Sequence, residues 1–227
     1  MDTYLIVFAK KPVPGKVKTR LTPHITPEKA AELHEAFFVD LVNKIKNNIE
    51  GINVTVAYTP VYGEKVFHEL VGSSVNLFPQ RGDNLGERMR NAFEAFFDRG
   101  AKRVVIIGTD SPTLPIPYIQ KAFHVLEKVP IVVGPTFDGG YYLIGLSEFN
   151  GEIFNNIGWG TSQVFHQTLT RIMTLNKQLF VLPPWYDIDT PVDLEFLRSH
   201  ILAMSLSGFD IELEKTVGFL GKLNSHD

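Results

Sequence analysis

Seven short apolar runs of strand composition are spread along the chain: YLIVFA (4–9), INVTVAYT (52–59), VNLF (75–78), RVVIIG (103–108), IVVGPT (131–136), YYLIGL (141–146) and QLFVLP (178–183). Several are unbroken rather than alternating, the pattern of strands covered on both faces. Between them the apolar residues change period. Leu33, Phe37, Leu41 and Ile45 recur every fourth position after Thr26-Pro27, a cap followed by a first-turn proline. Leu85, Met89, Ala92 and Phe96 repeat the pattern behind Asp83, and Leu194, Leu197 and Ile201 do so behind Thr190-Pro191. Strands that alternate with helices argue for a mainly parallel α/β sheet. No Ser/Gly linker, low-complexity tract or repeat interrupts the 227 residues, so residues 1–227 are expected to form a single domain. The stretch from Ser207 onwards is weakly patterned and its structure stays open.

The chain contains no cysteine, which removes disulfides, thiolate metal sites and cysteine nucleophiles. Its net charge of -3 opposes non-specific nucleic-acid binding. No run reaches the roughly 18 apolar residues of a membrane span, and YLIVFA is too short for a signal-peptide core. The expected location is the cytoplasm, with neither nucleic-acid binding nor membrane insertion. Against this mild acidity, the segment FAKKPVPGKVKTRL stands out. Lys10, Lys11, Lys16, Lys18 and Arg20 follow the first strand, and no acid lies between Asp2 and Glu28. Pro12, Pro14 and Gly15 force an irregular turn there. A solvated charge run is the bland reading; a polyphosphate cradle is the sharper one. It is not a Walker loop, because Lys10 stands where the first glycine belongs and Val17 where Ser or Thr belongs.

Ligands of open α/β sheets bind beyond the carboxyl ends of the strands. Three further segments at such ends carry suitable chemistry. In IIGTDSPTLP, Asp110 is the first acid after an uncharged strand, suited to Mg²⁺, or else a cap for a helix near residue 116. In PPWYDIDTPVDL, Asp193 falls at a capping position, which leaves Asp189, with Asp187 as the alternative, for metal. In GPTFDGGYYLIGL, Asp138, Gly139 and Gly140 form a hairpin turn that can also line an acceptor pocket. Two weaker segments are QRGDNLGERM, where Arg81 can meet a base or phosphate and Asp83 can cap a helix, and IGWGTS, where Trp159 is an acceptor wall or core filling. The histidines lack metal-ligand spacing, and both the Gly-x-Ser-x-Gly elbow and the Gly-x-Gly-x-x-Gly fingerprint are absent.

Taken in order, FAKKPVPGKVKTRL, QRGDNLGERM, IIGTDSPTLP, GPTFDGGYYLIGL, IGWGTS and YDIDTPVDL resemble a bacterial family of GT-A-fold proteins provisionally labelled glycosyltransferases, within the nucleotide-diphospho-sugar transferase superfamily. The KTRL and DxDTPxDL portions are more distantly similar to phospholactate and molybdenum-cofactor guanylyltransferases. The resemblance reaches to about Leu197. It implies a three-layer α/β/α sandwich with a mixed, mostly parallel sheet, and a nucleotide over the N-terminal loop at Lys10, Pro14, Gly15, Lys16, Lys18 and Arg20. It also implies Mg²⁺ or Mn²⁺ at Asp110, helped by Asp189. Lys18, Arg20 and Asp110 are then the expected catalytic groups, and Asp138, Gly139, Gly140 and Trp159 the acceptor contacts. The expected partners are a nucleotide or nucleotide sugar and an unidentified acceptor. The superfamily contains both sugar transfer and nucleotidyl transfer. Gly108 replaces the first acid of an Asp-x-Asp pair, which favours the latter, while the family label favours the former. A nucleotide-binding module without catalysis is the third reading.

Overall fold

The computed structural model describes residues 2–223. Its centre is a seven-stranded sheet in the order β3-β2-β1-β4-β6-β5-β7. The strands are β1 (Thr3–Lys10), β2 (Asn53–Thr59), β3 (Asn76–Pro79), β4 (Arg103–Ile107), β5 (Ile131–Pro135), β6 (Tyr141–Leu146) and β7 (Leu179–Val181). Each of the seven apolar runs is thus a strand. The helices are α1 (Pro27–Asn48), α2 (Glu64–Val71), α3 (Leu85–Phe97), α4 (Ile116–Val125), α5 (Val164–Thr174), α6 (Pro191–Leu206) and α7 (Glu214–Leu223).

Why the runs are unbroken is visible in β1. Leu5 and Val7 face α1 and α4, against Phe38, Leu41, Ile119 and Phe123. Ile6 and Phe8 face the opposite layer, against Met89, Phe93 and Phe96 of α3. Both faces are dry, so no polar alternation survives. A third cluster, with Leu33 and Phe37 of α1, Leu194 and Leu197 of α6 and Phe219 of α7, extends the first layer beyond the sheet. This is a three-layer α/β/α arrangement.

Every neighbouring pair of strands is parallel except those that involve β6, which runs antiparallel to both β4 and β5. The cause is the length of the connection. A parallel return needs a crossover of a dozen or more residues, whereas residues 136–140 allow only a hairpin. The parallel strands therefore end along one edge, where the loops after β1, β4, β5 and β7 meet.

The C-terminal segment has its own anchor. Asp40 of α1 is buried and accepts the backbone N–H groups of Lys215 and Thr216 at 3.0 and 2.8 Å. Two orphan donors of the first turn of α7 are satisfied from another helix, in the manner of an N-cap. Asp40→Ala should cost about 1–3 kcal/mol, the penalty for unpaired buried donors, and lower the melting temperature by several degrees. Amide exchange in α7 should speed up first. Unchanged exchange there would mean that apolar packing alone seats α7.

Candidate active site at the carboxyl edge of the sheet

Beyond β1 the chain turns at Pro14 and Gly15, with Gly15 at φ 73°, and reaches Lys18 in the left-handed region at φ 47°. A lysine holds that conformation only against a cost of about 1–2 kcal/mol, so its side chain must be well held. It is. The ammonium makes a close ion pair with Asp110 at the end of β4. It also donates to Asp189 Oδ1 at 3.1 Å and to the Ile188 carbonyl at 2.5 Å. The Lys18 side chain keeps only 3% of its surface, while that of Asp110 keeps 48% and faces the cleft. Burial opposes the Lys18 charge, but Asp110 and Asp189 together hold the ammonium above its ordinary value. Burial likewise opposes charge on Asp110, and Lys18 foremost brings its carboxyl below the usual range.

The strand-end loops are pinned to one another around this pair. Ile188 N–H donates to the Asp110 carbonyl at 2.9 Å, and Trp185 N–H to that of Pro135 at 3.0 Å. Thr190 and Asp193 form a reciprocal capping box at the start of α6, as the sequence spacing predicts. Asp110 caps no helix: the residue at the N-cap of α4 is Pro115, and no side chain caps that end. Asp83 is not a cap either. That place belongs to Asn84, which accepts from Glu87 N–H at 3.0 Å.

Of the remaining cationic residues, Arg20 is exposed and lies 3.6 Å from Asp189 Oδ2. Lys10 turns back to the Lys16 carbonyl at 2.5 Å, with Lys16 exposed. Arg81 is exposed, and its carbonyl accepts from Asn91. It does not line the cleft beside Asp110. That cleft, of about 450 Å³, is lined by Arg20, Asp110, Asp138, Gly140, Trp159, Asp187 and Asp189 among others. Arg20 of the loop, Asp110, Asp189, Asp138 and Gly140 of the hairpin turn and Trp159 are thus brought together, while Lys10, Pro14, Gly15, Lys16, Gly139 and Arg81 are not among the residues that line the cleft.

The hairpin turn joins β5 to β6, and its Asp138 and Gly140 line the cleft. Asp138 Oδ1 accepts from Gly140 N–H at 2.9 Å and from the Thr136 hydroxyl at 2.5 Å, which fixes its carboxylate at the rim. Gly139 has φ 91°, and a side chain there would sit 2.0 Å from the Ser162 carbonyl oxygen. Glycine is required twice over. Trp159 lies against Gly86 of α3 and edge-on to Tyr141, partly buried, with the rest of its ring in the cleft.

One group was not assigned from sequence, and another was assigned only as an alternative. His34 is buried on α1, its Nε2 2.9 Å from the Lys10 carbonyl, and its ring adjoins the Lys18–Asp110 pair. Burial foremost brings its imidazole below the ordinary histidine range, against the pull of Asp110. The sole hint was a polar residue beside the apolar stripe of α1. The second is the full role of Asp187: its carboxylate, with those of Asp138 and Asp189, lies within 4.8 Å of the others. Burial, and the charges of Asp138 and Asp189, push the Asp187 carboxyl up to about 6.

Two outcomes follow from these charges. Lys18→Met should destabilise the fold by about 2 kcal/mol, less than the ~3–5 kcal/mol of a fully buried pair because Asp110 is half-exposed. A melting temperature equal to the parent's would show that the pair adds nothing. Asp187 binds its proton more tightly folded than unfolded, so stability should fall as pH rises from about 4 to 6. Asp187→Asn should match the parent at pH 4 and exceed it at pH 7.5. Parallel stability curves across that window would remove the crowding of carboxylates.

A model of the bacterial family described as "Uncharacterized protein conserved in bacteria (DUF2064)" matches residues 44–161. Among curated proteins none matches the chain. A crystal structure from Desulfovibrio desulfuricans G20, provisionally designated a nucleotide-diphospho-sugar transferase, is 32% identical over 98% of both chains, with a TM-score of 0.86. A cytidylyltransferase from Leptospira borgpetersenii is 16% identical, covering 99% of this chain and 94% of its own, with a TM-score of 0.58. CMP:2-keto-3-deoxy-manno-octonic acid synthetase, complexed with CTP, is 11% identical over 89% of this chain and 99% of its own, with a TM-score of 0.54. The last two are alike in fold. The mixed seven-stranded sheet is that of the nucleotide-diphospho-sugar transferases, and the chain belongs to the DUF2064 family.

Proposed function

We propose that the chain is a transferase that takes a nucleoside diphosphate sugar, with a divalent cation, and moves the sugar to a small acceptor. One observation carries this reading: a cleft at the carboxyl edge of the sheet joins Arg20, the Lys18–Asp110 pair and three convergent carboxylates. The designation of the Desulfovibrio desulfuricans relative supports the choice of substrate.

Three oxygens from Asp138, Asp187 and Asp189 suit a hard cation such as Mg²⁺ or Mn²⁺. Burial foremost, and then the charges of Asp138 and Asp189, raise the Asp187 carboxyl, while Arg20 lies beside Asp189. These residues would hold the ion, with Asp189 retained from the expected set. Asp110 contributes from beside them, since Lys18 already matches its charge. Once bound, the ion would offset phosphate charge.

The side chains divide the remaining work. Arg20 offers its planar fork to phosphate oxygens, and Lys10, Lys16 and the backbone at Pro14 and Gly15 supply the outer cradle. Lys18 is the internal post that aligns Asp110 with Asp189, and Arg81 is left for the outer part of the nucleotide. Asp138, Gly140 and Trp159 border the space for the sugar and acceptor. In the reaction the acceptor hydroxyl oxygen bonds to the anomeric carbon and its proton is released to solvent. The sugar–phosphate bond breaks, and the nucleoside diphosphate leaves with the electron pair.

The second reading is nucleotidyl transfer, favoured by Gly108 in place of an Asp-x-Asp acid and by the cationic loop. The leaving group decides. Nucleotide sugars with Mg²⁺ or Mn²⁺ should yield nucleoside diphosphate. Asp189→Asn should reduce the rate on the order of 10²-fold, as for loss of an electrostatic stabiliser. Arg20→Ala should weaken nucleotide binding by about 1–3 kcal/mol. Pyrophosphate from triphosphates, with no diphosphate from any sugar nucleotide, would instead establish nucleotidyl transfer.

A further inference from the structure

A second groove, of about 520 Å³, opens on the other side of the same carboxylates. It shares Arg20, Asp138, Asp187 and Asp189 with the cleft, but its remaining walls are of another kind. Phe137, next to the hairpin glycines, is 75% exposed; Val192 and Phe196, on the first turns of α6, are 77% and 54% exposed. Apolar side chains scattered over a surface need no explanation, but these converge on one concavity with a charged rim.

The back wall is built rigidly. Tyr186 meets the Phe196 ring edge-to-face at 4.8 Å. Its hydroxyl accepts from the Thr113 hydroxyl at 2.7 Å and lies 2.6 Å from His200 Nδ1. Thr113 is itself tied to Trp185 Nε1 at 3.2 Å. A ring whose polar end is fully engaged inward leaves only its apolar face for a ligand. The volume lies in the ordinary range for small-molecule sites. Charge narrows the ligand further: among the described residues that line the groove, Asp138, Asp187, Asp189 and Asp193 outweigh Arg20, and they still do so with a divalent cation bound to the first three.

We propose that this groove seats the acceptor, and that the acceptor is an uncharged or cationic molecule with an aromatic or branched aliphatic body. The proposal rests on the transferase reading, since it takes the shared rim as the place where the sugar is handed over. The apolar body lies on Phe137, Val192 and Phe196, and the nucleophilic group reaches the rim at Asp138 and Asp187. Trp159, on the far side of the cleft, then borders the donor sugar instead of the acceptor.

The probes are 4-fluorobenzyl alcohol, 4-fluorobenzylamine and 4-fluorobenzoate, followed by fluorine NMR line broadening, with the parent, Phe196→Ser and Val192→Ser. Nucleoside diphosphate with Mg²⁺ is titrated calorimetrically into the same three proteins. The alcohol and amine should bind the parent, and the benzoate on the order of tenfold more weakly. Each substitution should weaken the first two by roughly tenfold, the loss of one apolar contact. Nucleotide affinity should stay at the parent value, and the melting temperature should fall by no more than a few degrees, since Val192 and Phe196 are exposed and Phe196 gives up its ring contact with Tyr186. Equal binding of all three probes, or probe binding indifferent to both substitutions, overturns the proposal. So does a dimer, seen by light scattering, that Phe196→Ser dissociates: a second copy would then cover the groove. Probe binding as expected in a protein that binds no nucleotide overturns the transferase reading, and the groove's occupant is then no acceptor. Nucleotide binding without probe binding overturns the groove alone.

Discussion

The ammonium of Lys18 is held by Asp110, Asp189 and the carbonyl of Ile188, groups that belong to the end of β4 and to the segment that leads into α6. Loops beyond a parallel sheet share no hydrogen-bond ladder, so something else must fix their relative positions. Here a long flexible side chain does so, from a backbone position that itself disfavours lysine. Its burial would be prohibitive without both carboxylates, and their mutual approach would be repulsive without it. The remaining acids are aligned on this unit: Asp187 and Asp189 flank Ile188, whose N–H is bonded to the Asp110 carbonyl.

The same unit divides the charges of the site into two classes. Asp110 and Lys18 satisfy each other and behave as framework. Asp138, Asp187 and Asp189 share Arg20 as their nearby unburied cation, and their mutual repulsion adds to burial in lifting the Asp187 carboxyl. A group of acids left under-neutralised beside a neutralised one is a gradient of potential across a few ångströms. A bound cation and a phosphate chain would lie along it.

Much of this was legible in the sequence, for reasons that differ by element. The strands were readable because sheet burial on both faces removes polar residues from the runs. The start of α6 was readable because a capping box is a local, four-residue pattern. By contrast, α5 contains Thr168, Thr170 and Thr174, β-branched residues that weaken a helical reading. Their hydroxyls bond back to the carbonyls of Val164, His166 and Thr170, so the helix absorbs them. The anchor for α7 sits on α1, which explains why a reading of the C-terminal residues alone left that segment open. Lys18 illustrates the limit at the site. As one of five cations in a loop it looked available to phosphate, and nothing local signals a partner 171 positions away.

The contact between Gly139 and the Ser162 backbone has a consequence for how such a site can change. The hairpin turn and the loop after Trp159 interlock without a spare ångström, so a side chain introduced at Gly139 would have to push two backbones apart. The opposite bank of the carboxylates is built from side chains that project from an exposed helical turn, where Val192 and Phe196 can be exchanged with little backbone adjustment. One bank behaves as a mould and the other as a replaceable lining. Diversification of such a scaffold would proceed by relining, with the mould left as cast.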